Sequence, residues 1–193
     1  MTASPANPAD AELVARALKG DRLAFDAFVR RHQEPLYRFV RRYVGDADES
    51  LDLVQETFVA AWEALPRYDL KRAASPWLRR IALNKCRDWS RRRAVRRFFY
   101  SAVDIESAAA AAQHASEDPG DTSGALDRLD AAISALPAAL KEPLLLTVFD
   151  GLSHQEAGLV LKISTKAVET RLYRARKALT EALGDVPPDP TET

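Results

Sequence analysis

The sequence lacks the features that mark secreted, disulfide-rich or membrane-spanning proteins. Cys86 is the single cysteine among 193 residues, so no internal disulfide can form, as is typical of a reducing compartment. No uninterrupted apolar run approaches the roughly 20 residues that a membrane-spanning helix requires. The start of the chain, MTASPANPAD, has neither the basic nor the apolar segment of a secretion signal. We therefore expect a soluble, cytoplasmic protein without membrane insertion.

Net charge is also absent, but the charges are segregated along the chain. Lys and Arg total 28, and so do Asp and Glu. Residues 45–63 carry six acids and no Lys or Arg, whereas residues 71–97 carry eleven Lys or Arg and one acid. Residues 162–177 carry six bases and one acid. Two basic segments suggest a polyanion bound at two places, and the acidic segment suggests a protein partner. Solvated helix faces are the simpler explanation for any one segment alone.

Residues suited to catalysis or metal binding are sparse. The histidines His32, His114 and His154 are far apart in the sequence and have no partner at the spacing of metal ligands. No glycine-rich phosphate loop or GxSxG turn occurs. Ser153 precedes His154, but it fits a helix cap better than a nucleophile. We therefore predict a binding protein that is not an enzyme and that needs no cofactor and no metal.

The spacing of apolar residues predicts an all-α fold, because no segment alternates like a strand. In the first half we predict helices over 12–19, 22–32, 36–44, about 48–65 and 76–93. Asp21 and either Asp46 or Asp48 are the expected N-caps, Pro35 suits a first turn, and Gly45 ends a helix. The expected core stripe of the fourth helix comprises Leu51, Val54, Phe58, Trp62 and Leu65.

The helices divide into two small domains. We predict a disordered tail over 1–9, a first domain over 10–97, a flexible acidic tether over 98–124, a second domain over 125–183 and a tail over 184–193. In the second domain, SHQE at 153–156 has the pattern of a capping box, and a tight turn over 162–164 leads into ISTKAVETRLYRARKAL. Two helices joined by so short a turn, the second cationic, form a helix-turn-helix pattern.

Three stretches together resemble bacterial extracytoplasmic-function sigma factors of the sigma-70 family. They are DLVQETFVAAW at 52–62, WLRRIALNKCRDWSRRR at 77–93 and LSHQEAGLVLKISTKAVETRLYRARKAL at 152–179. They occur in the order and at the distances usual for that family. The resemblance implies a region 2 domain and a region 4 domain joined by a linker. It further implies a subunit that binds the clamp and flap of core RNA polymerase and recognises the −10 and −35 elements of promoter DNA. An anti-sigma factor is the other implied partner.

The resemblance also carries over to particular residues. Polymerase contact is expected on the acidic face of the fourth helix, at Asp52, Gln55 and Glu56. Contact with the −10 element is expected at Arg67, Tyr68, Lys71, Arg72, Arg80, Asn84, Arg87 and Arg91. Tyr68 is the aromatic residue of the loop able to stack on a flipped base. Trp77 and Trp89 fit buried helical positions better than stacking platforms.

The cationic helix that begins near Thr165 is expected to enter the major groove of the −35 element. Val168, Leu172 and Leu179 should pack beneath it. The DNA-facing candidates are Ser164, Thr165, Lys166, Thr170, Arg171, Tyr173, Arg174 and Lys177. Two departures from the family pattern concern the fold. Lys162 stands where the turn often has Gly, at a cost of about 1 kcal/mol if the backbone is left-handed, and Pro143 should kink its helix or shift its start.

Two other functions fit parts of the pattern. A sigma mimic that sequesters an anti-sigma factor would usually be joined to a receiver domain and have eroded basic faces, whereas both basic faces are present here. A helix-turn-helix regulator that acts without polymerase would not need the acidic DLVQET face.

Overall fold

The computed structural model describes residues 7–103 and 122–184, and within these ranges it contains α-helices and no β-strand. The α-helices are α1 (Pro8–Ala17), α2 (Arg22–Val44), α3 (Ala47–Ala64), α4 (Ala74–Val103), α5 (Thr122–Ala135), α6 (Ala138–Leu144), α7 (His154–Leu161) and α8 (Thr165–Leu183). A 3-10 turn, Leu65–Arg67, follows α3, and a π-helical segment, Leu145–Phe149, continues α6. The all-α prediction is confirmed. Residues 1–6 and 185–193 of the predicted tails and 104–121 of the predicted tether lie outside the described ranges.

Local sequence sets the helix ends that were predicted from caps. The carboxylates of Asp21 and Asp46 accept backbone N–H groups at 3.1 and 3.0 Å and start α2 and α3. Ser153 and Glu156 form the predicted capping box at the start of α7. Gly45, with φ of 83°, ends α2 in the left-handed conformation that favours glycine. Each of these signals acts within a few residues, which explains why the sequence alone revealed it.

The prediction of two helices separated at Pro35 was wrong. Helix α2 runs without a break from Arg22 to Val44, with Pro35 in its interior. An interior proline removes one backbone hydrogen bond and costs about 3 kcal/mol. Burial of Phe28, Leu36 and Phe39 along the same continuous face offsets that cost.

Pro143 disturbs its helix in a different way. Helix α6 begins directly after Pro137, as predicted, and continues through Pro143. The chain then widens into the π-helical segment, in which the N–H of Asp150 bonds the carbonyl of Leu145 at 3.1 Å. The hydroxyl of Thr147 donates to the carbonyl of Pro143 at 2.8 Å. The helix therefore accommodates the proline through one wider turn.

Three predicted boundaries were also wrong. Helix α1 begins at Pro8, inside the predicted N-terminal tail. Helix α4 extends to Val103 and helix α5 begins at Thr122, so both ends of the predicted tether are helical.

Helices α1 to α4 form an N-terminal module around one apolar core. Its fully buried side chains include Phe28, Leu36, Phe39, Tyr43, Leu53 and Leu78. The predicted core stripe of α3 was wrong at two positions, because Leu51 is 50% exposed and Trp62 is 40% exposed. Thr57 is buried instead, since its hydroxyl donates to the carbonyl of Leu53 at 2.6 Å and needs no other partner. Trp62 packs edge-on against Phe25 near the surface.

Helices α5 to α8 form a C-terminal module that contains the predicted helix-turn-helix. Lys162 lies in the turn with φ of 58°, so its backbone is left-handed although the residue is not glycine. Gly158 allows the turn to pass close to α7, because a Cβ at this position would lie 2.8 Å from the carbonyl oxygen of Ile163. The two modules pack directly on each other, α2 against α5 and α4 against α7.

Candidate nucleic-acid and polymerase interfaces

Helix α8 buries one face and exposes the other. Val168, Leu172 and Ala175 are buried against the C-terminal module. The opposite face exposes the predicted DNA-facing residues Lys166, Thr170, Tyr173, Arg174 and Lys177, with Arg171 half-buried beside them. Tyr173 is 71% exposed, which is unusual for an aromatic side chain on a small domain. The helix therefore presents cations, a hydroxyl and a ring on one side.

The first turn of α8 is fixed by its own side chains. Ser164 caps the helix, and its hydroxyl accepts the N–H of Ala167 at 3.2 Å. Glu169 lies 3.8 Å from Nδ1 of His154, the first residue of α7, so the acid faces the preceding helix. A helix N-terminus that projects from a rigid turn can approach phosphates through its backbone N–H groups.

The cationic residues of α4 do not share one environment. Arg80, Asn84 and Arg91 are exposed, as predicted for a DNA-facing stripe. Arg87 instead turns towards the C-terminal module, where Nε and Nη2 donate to the carboxylate of Glu142 at 2.7 and 2.5 Å. This bidentate hydrogen bond raises the pKa of the Arg87 guanidinium.

The loop before α4 places its aromatic residue inside the module. Tyr68 is only 8% exposed, its ring centroid lies 4.6 Å from that of Trp77, and its hydroxyl donates to the carbonyl of Arg72. Burial raises the pKa of Tyr68 to about 12, so the hydroxyl stays a donor. Base stacking by Tyr68 remains a prediction, and it requires the ring to turn outward. The loop residues Arg67, Lys71 and Arg72 are exposed.

The face of α3 predicted to meet polymerase is exposed and partly apolar. Asp52 and Gln55 are exposed, and Glu56 is half-buried beside Lys85 of α4. Leu51 and Val59 flank these polar residues and are 50% and 60% exposed. The sequence analysis placed Val59 on this face but missed Leu51, because it assigned Leu51 to the core. An acidic surface with exposed aliphatic side chains is typical of a protein-binding face.

Family models match both modules. The model for sigma-70 region 2 matches residues 28–96, and the model for sigma-70 region 4 matches residues 126–179. The chain belongs to the extracytoplasmic-function group of the sigma-70 family. The N-terminal module is thus its region 2 and the C-terminal module its region 4.

Curated relatives of this sigma factor match it over almost their full length. The RNA polymerase sigma factor NccH of Alcaligenes xylosoxydans xylosoxydans is 41% identical over 90% of this chain and 94% of its own. The sigma factor CnrH of Cupriavidus metallidurans is 39% identical over 92% of this chain and 96% of its own. The ECF RNA polymerase sigma-E factor of Escherichia coli K12 is 33% identical over 88% of this chain and 92% of its own.

A solved structure has a similar fold. The structure of CnrH in complex with the cytosolic domain of CnrY matches with a TM-score of 0.66 and 35% identity, over 91% of this chain and 97% of that one. This similarity covers both modules.

The described ranges of this sigma factor carry neither a metal centre nor a membrane-spanning helix. Residues 7–103 and 122–184 contain no cluster of three or more His, Cys, Asp or Glu suited to a metal ion. None of the helices in those ranges has both the length and the hydropathy needed to cross a membrane. Cys86 is fully buried, and burial raises the pKa of its thiol to about 12, consistent with the predicted core position.

Sequence reasoning missed the charged residues between the two modules. Arg79 is buried within the apolar arc of α4, and Lys141 and Glu142 are buried in α6. Burial lowers the pKa of Lys141 to about 8, although its ammonium group donates to the carbonyl of Tyr43 at 2.8 Å. A signal was present, because Lys141 and Glu142 interrupt an apolar run beside Leu140 and Leu144. Nothing in the sequence indicated their partners.

Proposed function

We propose that this sigma factor binds core RNA polymerase and directs initiation at promoters that carry a −10 and a −35 element. The exposed cationic face of α8 is the observation that supports this proposal most directly. Its underside is buried on the preceding helix, so the face is held rigidly and is free to enter a major groove. Exposed cations would bind phosphates, while Tyr173, Arg174 and Thr170 lie among them as candidates for base contacts.

The N-terminal module would bind the −10 element and the polymerase on neighbouring helices. We assign the DNA side to a −10 surface, comprising Arg67, Tyr68, Lys71, Arg72, Arg80, Asn84, Arg87 and Arg91. We assign the clamp side to Asp52, Gln55 and Glu56, with Leu51 and Val59 as apolar additions. The separation of acidic and basic faces supports this division. DNA, a polyanion, would be attracted to the basic face, and a basic surface of the partner protein to the acidic face.

The remaining partners follow from the same role. We infer that region 4 contacts the polymerase flap and that an anti-sigma factor binds the chain, since the similar CnrH was solved with the cytosolic domain of CnrY. We place the protein in the cytoplasm, where polymerase and promoters are, and we assign it no enzymatic activity of its own.

Run-off transcription tests the proposal directly. The purified protein is combined with core RNA polymerase and a library of templates with random upstream sequence, and the transcripts are sequenced. We expect enriched templates that share two spaced upstream motifs, and we expect core polymerase alone to give no such enrichment. Absence of enrichment together with absence of polymerase binding would contradict the proposal and favour a mimic that sequesters an anti-sigma factor.

A further inference from the structure

Glu169 is an acid on a helix face that is otherwise cationic. Within residues 162–177 it is the one acid beside six Lys and Arg residues. It is the fifth residue of α8, and its side chain is 51% exposed. Thr165 and Tyr173, one helical turn before and after it, both belong to the predicted DNA-facing set. A carboxylate at this place needs an explanation, because DNA is a polyanion.

The contact with His154 leaves the Glu169 carboxylate accessible. Nδ1 of His154 lies 3.8 Å from Oε1 of Glu169, which is beyond the range of a hydrogen bond. An ionised carboxylate accepts hydrogen bonds through two oxygens and donates none. Its partner in a complex must therefore be a hydrogen-bond donor.

The first two turns of α8 are the part of the helix suited to base contact. In a helix-turn-helix, the N-terminal residues of the second helix approach base edges in the major groove. Val168, next to Glu169 in the chain, is fully buried and fixes the backbone from which Glu169 projects. Phosphates along the groove would repel the carboxylate, but the exposed Lys166, one turn earlier, offsets part of that repulsion. A base edge is therefore a better partner for Glu169 than the phosphate backbone.

The four bases differ in what they offer to a carboxylate in the major groove. Guanine presents two acceptors, and thymine presents an acceptor and a methyl group, so neither can donate to Glu169. Adenine has the N6 amino donor, but its N7 acceptor lies beside it and would repel the second carboxylate oxygen. Cytosine presents the N4 amino group without an acceptor on the same base edge. Cytosine is therefore the base that a carboxylate discriminates best.

We propose that Glu169 is a specificity-determining residue of this sigma factor, and that its carboxylate accepts the N4 amino group of a cytosine in the −35 element. The inference rests on the proposed function and adds the identity of one base to it. The cations around Glu169 supply affinity by binding phosphates, whereas Glu169 supplies discrimination. Opposite any other base, the carboxylate would lose water without gaining an equally good donor.

Glutamine at this position gives a distinct expected result. Because Gln binds adenine through both N6 and N7, Glu169→Gln should change the preferred base and not only weaken binding. Glu181→Gln is the control, since it removes the same charge from an exposed position of the same helix, roughly 18 Å away along its axis. Run-off transcription with core RNA polymerase and templates of random upstream sequence is carried out with the parent protein and both variants, and the enriched motifs are compared.

We expect the parent protein to enrich a cytosine, on either strand, at one position of the motif further from the start site. Glu169→Gln should enrich adenine at that position alone. On two templates that differ only at that base pair, the ratio of transcripts from the cytosine template to those from the adenine template should fall on the order of tenfold in Glu169→Gln. The ratio should not change in Glu181→Gln.

An unchanged motif with Glu169→Gln would overturn the inference and leave the proposed function intact, and so would an equal change of motif with Glu181→Gln. Glu169→Ala gives a second measurement, because alanine has no acceptor. This variant should lose the preference for cytosine without gaining one for adenine, and a retained preference for cytosine would exclude Glu169 from base recognition. Absence of any shared upstream motif with the parent protein would count against the proposed function itself, and the inference would fall with it.

Discussion

The ammonium group of Lys85 lies 3.3 Å from the carboxylate of Glu56 and joins α4 to α3. This pair explains why a lysine occurs within the apolar arc of α4, where the helical pattern alone gave no reason for it. It also connects the helix assigned to DNA with the helix assigned to polymerase. Both side chains are partly exposed, so the ion pair itself contributes little stability, on the order of 1 kcal/mol or less.

The Lys85–Glu56 pair supplies a control for an experiment on the face predicted to bind polymerase. We expect Asp52→Ala with Glu56→Ala to weaken binding to core polymerase by about 1–2 kcal/mol, because two exposed carboxylates of the contact face are lost. Surface plasmon resonance with immobilised core polymerase measures this change. Lys85→Ala is the control, since it breaks the pair but leaves both acids in place. An equal loss in the control would show that the ion pair, and not polymerase contact, explains the effect.

Helix α8 carries two exposed arginines, Arg174 and Arg176, that can be compared as a test residue and its control. We expect Arg174→Ala to weaken binding to promoter DNA by about 1–3 kcal/mol and to relax preference at one base pair, if its guanidinium contacts a base edge. Arg176→Ala removes the same charge from an exposed position outside the predicted DNA face. Anisotropy titration with promoter duplexes obtained from the transcription experiment measures both. Equal effects of the two substitutions would remove Arg174 from base recognition.

The backbone strain at Lys162, which has a left-handed conformation, can be removed by substitution. We expect Lys162→Gly to raise the free energy of unfolding of the C-terminal module by about 1 kcal/mol, because glycine adopts φ of 58° without strain on its Cβ. Urea denaturation followed by circular dichroism measures the change. Lys162→Ala removes the same charge and keeps the strain, so it should be no more stable than the parent protein. Equal stability of the Gly and Ala variants would refute the explanation from strain.

His32 makes the N-terminal module sensitive to acid. Its side chain is 13% exposed beside Phe28, and burial lowers its pKa even though Nε2 lies 3.1 Å from the carboxylate of Asp10. Unfolding frees the imidazole to titrate near its ordinary pKa of about 6.5. As the pH falls through that range, the unfolded chain binds a proton that the folded chain does not, so the free energy of unfolding decreases.

We therefore expect the melting temperature of the parent protein to fall more steeply between about pH 7 and pH 5 than that of His32→Gln. His154→Gln is the control, because His154 is exposed on α7 and its substitution should leave the steep dependence intact. Differential scanning fluorimetry across this pH range measures all three proteins. Parallel curves for the parent and His32→Gln would contradict the role of His32.

Features that depend on near neighbours in the chain were predictable from the sequence. Asp21, Asp46 and Ser153 cap helices because a side chain reaches backbone N–H groups two or three residues ahead. The tight turn over 162–164 follows from the two-helix pattern around it. The buried face of α8 follows from its apolar spacing, and the structure confirms it at Val168 and Leu172.

Features that depend on distant packing were not predictable. Pro35 suggested a helix boundary because propensity is local, whereas the continuous α2 is stabilised by a core assembled from other helices. Trp62 was assigned to the core from hydrophobicity, yet it lies at the surface against Phe25. Arg87 was expected in a uniform cationic stripe, and its partner Glu142 is 55 positions away along the chain. The spacing of residues within one helix cannot indicate a partner so far away along the chain.

The separation of paired residues along the chain has a consequence for biosynthesis. Arg42 and Asp130 are 88 positions apart, and Tyr43 and Glu142 are 99 apart. Domains fold as units during synthesis, and the N-terminal one folds first. The N-terminal module therefore completes its core on the ribosome while its arginines still face water, and these arginines gain their carboxylate partners only after the last helices have emerged.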